Sequence, residues 1–91
     1  MFVPLKITEH SIIVKKSRFI AICIPFNNVN DLDIELNKIK KKYPKATHYL
    51  YAYKVGSLSK CNNDSEPGNI AQGFLTLINK AKLDDILVIV V

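Results

Sequence analysis

The sequence contains few glycines and no long apolar run, and these shortages exclude several classes of protein. Three glycines and four prolines among 91 residues are far fewer than collagen-like or low-complexity chains contain. No apolar run exceeds that of residues 86–91, which is much shorter than the roughly 20 residues that a membrane-spanning helix needs. Charged residues interrupt the amino-terminal segment, so we expect no secretory signal peptide, no membrane association and a cytoplasmic protein.

Cysteine is scarce as well, and its placement favours no metal site. Cys23 and Cys61 lie far apart and provide neither zinc-type spacing nor a disulfide framework. Cys23 lies within an apolar run, where a free thiol acts as a small buried hydrophobic group. We therefore expect a reducing compartment, no metal and no cofactor, while a single disulfide between the two cysteines stays open.

The remaining composition is that of one globular domain covering residues 1–91. Hydrophobic residues make up 48% of the chain and charged residues 23%, as in ordinary folded domains. The net charge is +5, and all of the excess lies before residue 46. A basic amino-terminal half keeps nucleic acid among the partners to be considered.

Apolar spacing predicts four strands and two helices. Leu32, Leu36, Ile39 and Tyr43 recur at helical intervals, between a possible Asn30 N-cap and the helix-ending Pro44. The acidic residues fall in the early turns of this helix and the lysines in the late turns, as the helix dipole favours. We expect strands at 7–14, 18–26, 47–55 and 83–91, helices at about 31–43 and 70–81, and a loop at 56–69.

This order, ββαβαβ, predicts an α+β fold arranged as a two-layer sandwich. The natural assembly places both helices on one face of the sheet. The last strand is almost continuously apolar, and an exposed edge of that kind would invite pairing. We therefore expect a homodimer through residues 86–91 as one option.

No catalytic signature accompanies the residues that could support chemistry. His48, Asp64, Glu66 and Ser65 could in principle supply a base, its orienting carboxylate and a nucleophile. No GxSxG-type segment surrounds any serine, and the scattered glycines form no phosphate-binding loop. We assign no catalytic residue, and a hydrolase is only the third hypothesis.

Nucleic-acid binding has more support. Lys15, Lys16 and Arg18 fall at a predicted hairpin turn, while Tyr49, Tyr51 and Tyr53 share one face of a predicted strand. Basic groups meet phosphates and aromatic rings stack on bases in several RNA-binding sheets. The same tyrosine row would equally suit packing against another layer of the fold. An RNA- or ribosome-binding module is the second hypothesis.

Three segments together resemble the amino-terminal domain of the YigZ/IMPACT family. Residues 16–21 resemble its K-x-S-R-F-I-A strand, residues 46–53 its A-T-H-x-x-x-A-Y strand, and residues 63–67 its D-D-G-E-P loop. The loop departs from the family pattern at Asn63 and Ser65, and only Ala71 is retained in the stretch that follows. The family continues beyond its last strand into R-Y-F-G-G, so we expect residues 1–91 to be a truncated form of that domain.

The resemblance implies a fold like the second domain of ribosomal protein S-five and a non-enzymatic, regulatory role. The eukaryotic branch of the family is linked to translational control through protein contacts. The motif matches select His48, Asp64, Glu66 and Pro67 as candidate binding residues. The first hypothesis is therefore a binding domain whose protein partner belongs to the translation machinery.

Overall fold

Five strands and two helices make up the structure, a computed structural model that describes residues 6–14 and 16–91. A short 3-10 turn, Val29–Asp31, precedes the first helix. The strands are β1 (Thr8–Val14), β2 (Ser17–Pro25), β3 (Leu50–Val55), β4 (Leu58–Asn62) and β5 (Ile86–Val90), and the helices are α1 (Leu32–Lys42) and α2 (Ile70–Lys80). The α+β class is confirmed, although the order is ββαββαβ.

All five strands form one antiparallel sheet in the order β1-β2-β5-β3-β4. The continuous apolar character of β5 is explained by its central position, where Ile89 lies opposite Ile22 on one side and Tyr51 on the other. All five residues of β5 are buried. The expectation that residues 86–91 form an exposed edge is wrong, and this strand offers no free edge to a second copy.

The two helices cover opposite faces of the sheet, so the expectation that both lie on one face is also wrong. Ala21, Ala52 and Val88 pack with α2 residues in one core cluster. Ile22, Leu87 and Ile89, which alternate with them, pack with α1 residues in a second cluster. Strands that are apolar at both parities expose apolar groups on both faces, and each face therefore needs a cover.

Helix α1 ends close to the predicted position, but it begins differently. The side chain of Asn28, not that of Asn30, caps the 3-10 turn by accepting a hydrogen bond from the Asn30 N–H at 3.0 Å. Acidic residues occupy the first turn of α1 and lysines the last, as predicted. This distribution matches the helix dipole.

Strand β4 lies inside the segment that the sequence predicts as a loop. Gly56, at φ 60°, supplies the left-handed conformation that the tight β3–β4 turn requires, and Leu58 then pairs with Val55. Most of β4 is exposed and its sequence is largely polar. It therefore lacks the β-branched, alternating pattern by which strands are recognised.

Both cysteines are free thiols. Within the described residues, no helix has the length and apolar character needed to cross a membrane.

Candidate binding cleft

Residues from all three sequence motifs line one cleft at one end of the sheet. Its volume is about 330 Å³. We call it the motif cleft, and its lining is Ser17, Arg18, Phe19, Lys45, Ala46, Thr47, His48, Leu50, Glu66 and Val91. A second hollow of about 270 Å³ shares Ser17, Phe19 and Glu66 with it and extends over residues 67–70. Pro67 lines this second hollow.

The antiparallel topology brings these segments together. Strand β5 runs opposite to both β2 and β3, so the start of β2, the start of β3 and the end of β5 lie at the same end of the sheet. Strand β4 runs opposite to β3, so its end, from which the loop at 63–69 continues, lies there too. Segments that are distant in sequence therefore meet in space.

His48 lies between two carboxylates. Its Nε2 atom is 3.1 Å from Glu66 Oε2, and its Nδ1 atom is 4.0 Å from Asp64 Oδ2. The His48 and Glu66 side chains are each 26% exposed, so a ligand can reach them from the cleft. The candidate residues His48, Asp64 and Glu66 thus form one cluster, which can offer a polar, partly anionic surface to a binding partner.

The loop at 63–69 is folded so that its acidic side chains face the start of β3. Asp64 Oδ2 accepts a hydrogen bond from the Tyr49 N–H at 2.8 Å. Asp64 and Ser65 both adopt left-handed backbone conformations, with φ of 48° and 66°. The Glu66 N–H donates to the Asn63 carbonyl at 2.9 Å and closes this turn. These contacts fix where the Glu66 carboxylate projects.

Asn63 holds the loop together, and sequence reasoning missed this role. Its Nδ2 group donates to the carbonyl oxygens of Glu66, at 3.2 Å, and of Gly68. Its Oδ1 atom accepts from the N–H of Ala71, in the first turn of α2, at 2.8 Å. One side chain therefore ties the loop to itself and to the helix. Its position directly before the motif Asp was the only available signal.

Two basic residues line the motif cleft, and a third lies in the β1–β2 turn, next to the lining residue Ser17. Arg18 and Lys45 are exposed and line the motif cleft. Lys16 is exposed in the β1–β2 turn, at φ 68°. Lys15 lies outside the described residues. A positive rim therefore adjoins the acidic His48 cluster.

The tyrosine row packs against the α1 side of the sheet. Tyr51 is 8% exposed, so its ring is not available for stacking on a base. It stacks on Tyr53 with ring centroids 6.2 Å apart, and Tyr53 contacts Phe26 in turn. The hydroxyl of Tyr49 donates to the Tyr43 carbonyl at 2.7 Å. Packing therefore accounts for the Tyr51 ring, whereas Tyr49 and Tyr53 remain partly exposed.

The geometry gives little support to hydrolysis. The ring nitrogens of His48 lie 3.1 Å from the Glu66 carboxylate and 4.0 Å from that of Asp64. Ser65 is exposed, in a left-handed turn. Across residues 6–14 and 16–91, no three His, Cys, Asp or Glu side chains are grouped so that they could hold a metal ion.

Two carboxylates with lowered pKa lie outside the motif cleft. Hydrogen bonds from Lys42 and from Tyr43 Oη hold the pKa of Glu9 below its ordinary value. The pKa of Asp84 is lowered by the N–H groups of Asp85 and Gly56, at 2.8 and 2.9 Å. These contacts join β1 to the end of α1, and β5 to the β3–β4 turn, so they are structural.

Comparison with known proteins gives the same family as the motifs. A family model described as the Impact N-terminal domain matches residues 15–91. The chain is 35% identical over 81 residues to IMPACT family member YvyE of Bacillus subtilis (strain 168), covering 85% of this chain and 37% of that protein. It is 34% identical over 79 residues to the "IMPACT family member in pol 5'region" of Thermus thermophilus, covering 87% of this chain and 43% of that protein.

A solved structure described only as that of a hypothetical protein has the same fold. Its TM-score is 0.85 at 21% identity, covering 97% of this chain and 46% of that one. The chain therefore spans less than half the length of the curated relatives and of the solved structure that it matches.

Proposed function

Since the chain belongs to the IMPACT family, as its amino-terminal domain, we propose that it is a non-enzymatic binding domain that contacts a protein partner of the translation machinery through the motif cleft. It would act in the cytoplasm, in a regulatory role. The family resemblance supports the link to translation, and the structure supports the choice of surface.

The observation that supports this proposal is the meeting of the three family motifs at one cleft. Arg18, His48 and Glu66 come from different motifs, and all three line it. Stability alone does not explain the His48–Glu66 contact, because both side chains are partly exposed and partly exposed ion pairs contribute little to stability. A recognition surface explains why these groups lie there.

Affinity capture tests the proposal. The chain is immobilised, exposed to lysate of its own source cells, and the bound proteins are identified by mass spectrometry. We expect ribosomal proteins or translation factors to be retained by the wild-type chain and depleted with Glu66→Gln and with His48→Ala. Each variant removes one side of the His48–Glu66 contact while leaving the core unchanged.

His10→Ala is the matched control, because His10 is exposed on β1 and does not line the motif cleft. It should retain the same proteins as the wild-type chain. Failure to recover any translation component, or equal recovery by the Glu66→Gln and wild-type chains, would contradict the proposal.

RNA or ribosomal-RNA binding is the second candidate, favoured by the exposed Arg18 and Lys45 on the rim of the cleft. Each phosphate contact to a single strand makes the logarithm of the binding constant fall by about 0.7 per unit of the logarithm of the salt concentration. Arg18→Ala should therefore flatten the salt dependence for a single-stranded RNA by about one contact. No measurable RNA affinity at low salt would remove this candidate.

A further inference from the structure

A separate, apolar groove lies at the same end of the sheet, on the face that α1 covers. Its volume is about 500 Å³. Ile20 and Val91, which belong to the core cluster under α1, contribute to its lining, and Tyr43 and Ala46 continue it after the helix. The motif cleft, in contrast, contains Phe19 and Leu50 from the α2 side. We call this second surface the α1 groove.

The wall of the α1 groove is apolar, and its rim is basic. Ile20, Tyr43, Ala46 and Val91 are all half-buried, so their apolar atoms remain accessible to a ligand. Backbone pairing of Ile20 with Val91, at 2.9 Å in both directions, makes this part of the groove a rigid continuation of the sheet. A preformed surface has little conformational entropy of its own to lose when a ligand binds.

Three cations surround this surface, and two of them are not engaged. Lys42 is paired with Glu9, whereas Arg18 and Lys45 take part in no ion pair within the described part of the chain. Both are exposed. Unpaired cations beside an apolar surface complement a ligand that carries apolar groups next to negative charge.

The size and chemistry of the groove favour a peptide over a nucleic acid. A volume of about 500 Å³ is sufficient for one or two large apolar side chains. Recognition of single-stranded RNA uses aromatic platforms, but the rings of Tyr51 and Tyr53 pack against each other, and Tyr53 also packs against Phe26. Tyr43 is the one aromatic residue in the groove lining, and its hydroxyl is bonded to Glu9, so the groove offers no row of stacking platforms to successive bases. The other apolar residues of the lining are Ile20, Pro44, Ala46 and Val91, which suit an apolar side chain.

We propose that the α1 groove binds an acidic peptide segment, in which one or two large apolar side chains enter the groove and flanking Asp or Glu residues meet Arg18 and Lys45. This rests on the proposed function, since it names the chemistry of a partner segment. It adds a surface distinct from the His48 cluster. The two surfaces adjoin and share four lining residues, so one partner can contact both together; the shared residues are Arg18, Lys45, Ala46 and Val91.

The test uses three fluorescein-labelled nonapeptides, titrated against the chain by fluorescence anisotropy. The first alternates Asp and Glu with Leu and Phe, the second replaces Leu and Phe with Ser, and the third replaces Asp and Glu with Gln. The first should bind. The second and third peptides should bind at least about tenfold more weakly than the first, because the second lacks the apolar side chains and the third lacks the negative charges.

Two variants of the chain address the two halves separately. Ala46→Leu fills the groove without changing charge and should weaken the first peptide about tenfold. Lys45→Glu reverses a rim charge and should weaken it by about threefold to tenfold, with the loss shrinking at high salt. Ala81→Leu and Lys80→Glu make the same changes at exposed positions away from the groove and should leave binding unchanged.

Four results would overturn the inference. Equal binding of the serine peptide would show that charge alone is recognised. An unchanged affinity for Ala46→Leu, with that variant folded by circular dichroism, would place the peptide elsewhere. If an oligouridylate of the same charge displaced the first peptide as effectively as the unlabelled peptide does, RNA would be the favoured ligand. A positive capture experiment combined with failed peptide binding would remove this inference and leave the proposed function intact.

Discussion

Replacing Asn63 with alanine should destabilise the fold far more than its position in a surface loop suggests. The side chain makes three hydrogen bonds: two donated to the carbonyls of Glu66 and Gly68, and one accepted from the N–H of Ala71. Ala71 is 2% exposed, so in the variant its N–H would lose its partner in a buried position. A typical hydrogen bond contributes about 0.5–1.5 kcal/mol, and a buried unsatisfied group costs about 1–3 kcal/mol.

These terms are not additive, and together they predict a loss of about 2–4 kcal/mol in the free energy of unfolding. A domain of this size is stable by only about 5–14 kcal/mol, so the loss would be a large fraction of the total. Urea unfolding followed by circular dichroism measures it. With a slope of about 1–2 kcal/mol per molar urea, the midpoint should fall by at least about 1 M.

Asn69→Ala is the matched control, because the side chain of Asn69 caps no backbone group at the start of α2. That change should cost less than about 0.5 kcal/mol, as is usual for exposed positions. A loss for Asn63→Ala below about 0.5 kcal/mol, or equal to that of the control, would refute the role assigned to Asn63.

Three further predictions concern the core, a hydrogen-bonded carboxylate and a thiol. Leu87→Ala, at a fully buried position of the central strand, should cost about 2–5 kcal/mol in urea unfolding, whereas Leu77→Ala, 59% exposed on α2, should cost under about 1 kcal/mol. The pKa of Asp84 is lower in the folded chain, so its carboxylate stabilises the fold above the unfolded value of about 3.9, and that contribution disappears as pH falls through the folded value. Asp84→Asn should therefore be less stable than wild type at pH 7, with the difference narrowing below about pH 4; a pH-independent difference would contradict this. Burial raises the pKa of the Cys23 thiol, so iodoacetamide should alkylate Cys23 more slowly than it alkylates glutathione at pH 8, as followed by mass spectrometry of the native chain; equal rates would contradict the burial.

The predicted part of the fold is the part that depends on local apolar pattern. The spacing of Leu32, Leu36 and Ile39 is sufficient to predict α1, and the continuous apolar run predicts β5. Strand β4 escapes prediction because its pairing with β3, rather than its own composition, makes it a strand. The positions of the helices on opposite faces were not predicted, although apolar residues at both parities of β2 indicated that both faces would need cover.

The candidate site, like the fold, was predicted only in part. Motif resemblance selected His48, Asp64 and Glu66, and the structure brings both carboxylates to within 4.0 Å of a ring nitrogen of His48. The motif resemblance could not show that Arg18 would lie at the same cleft, since that depends on the strand order. The burial of Tyr51 was also not predicted. Alternation along a strand shows which side chains share a face, but not whether a helix covers that face.

Site-specific photo-crosslinking tests most directly whether the motif cleft is the binding surface. A photo-reactive phenylalanine analogue is introduced at Thr47 or Pro67, which are exposed and line the motif cleft or the hollow that continues it, or at Leu58, which is 54% exposed at the opposite end of β3 and β4. After irradiation in lysate of the source cells, positions 47 and 67 should yield the same cross-linked translation component, and position 58 should not. Cross-links to that component from position 58 alone, or equally from all three positions, would contradict the assignment of the cleft.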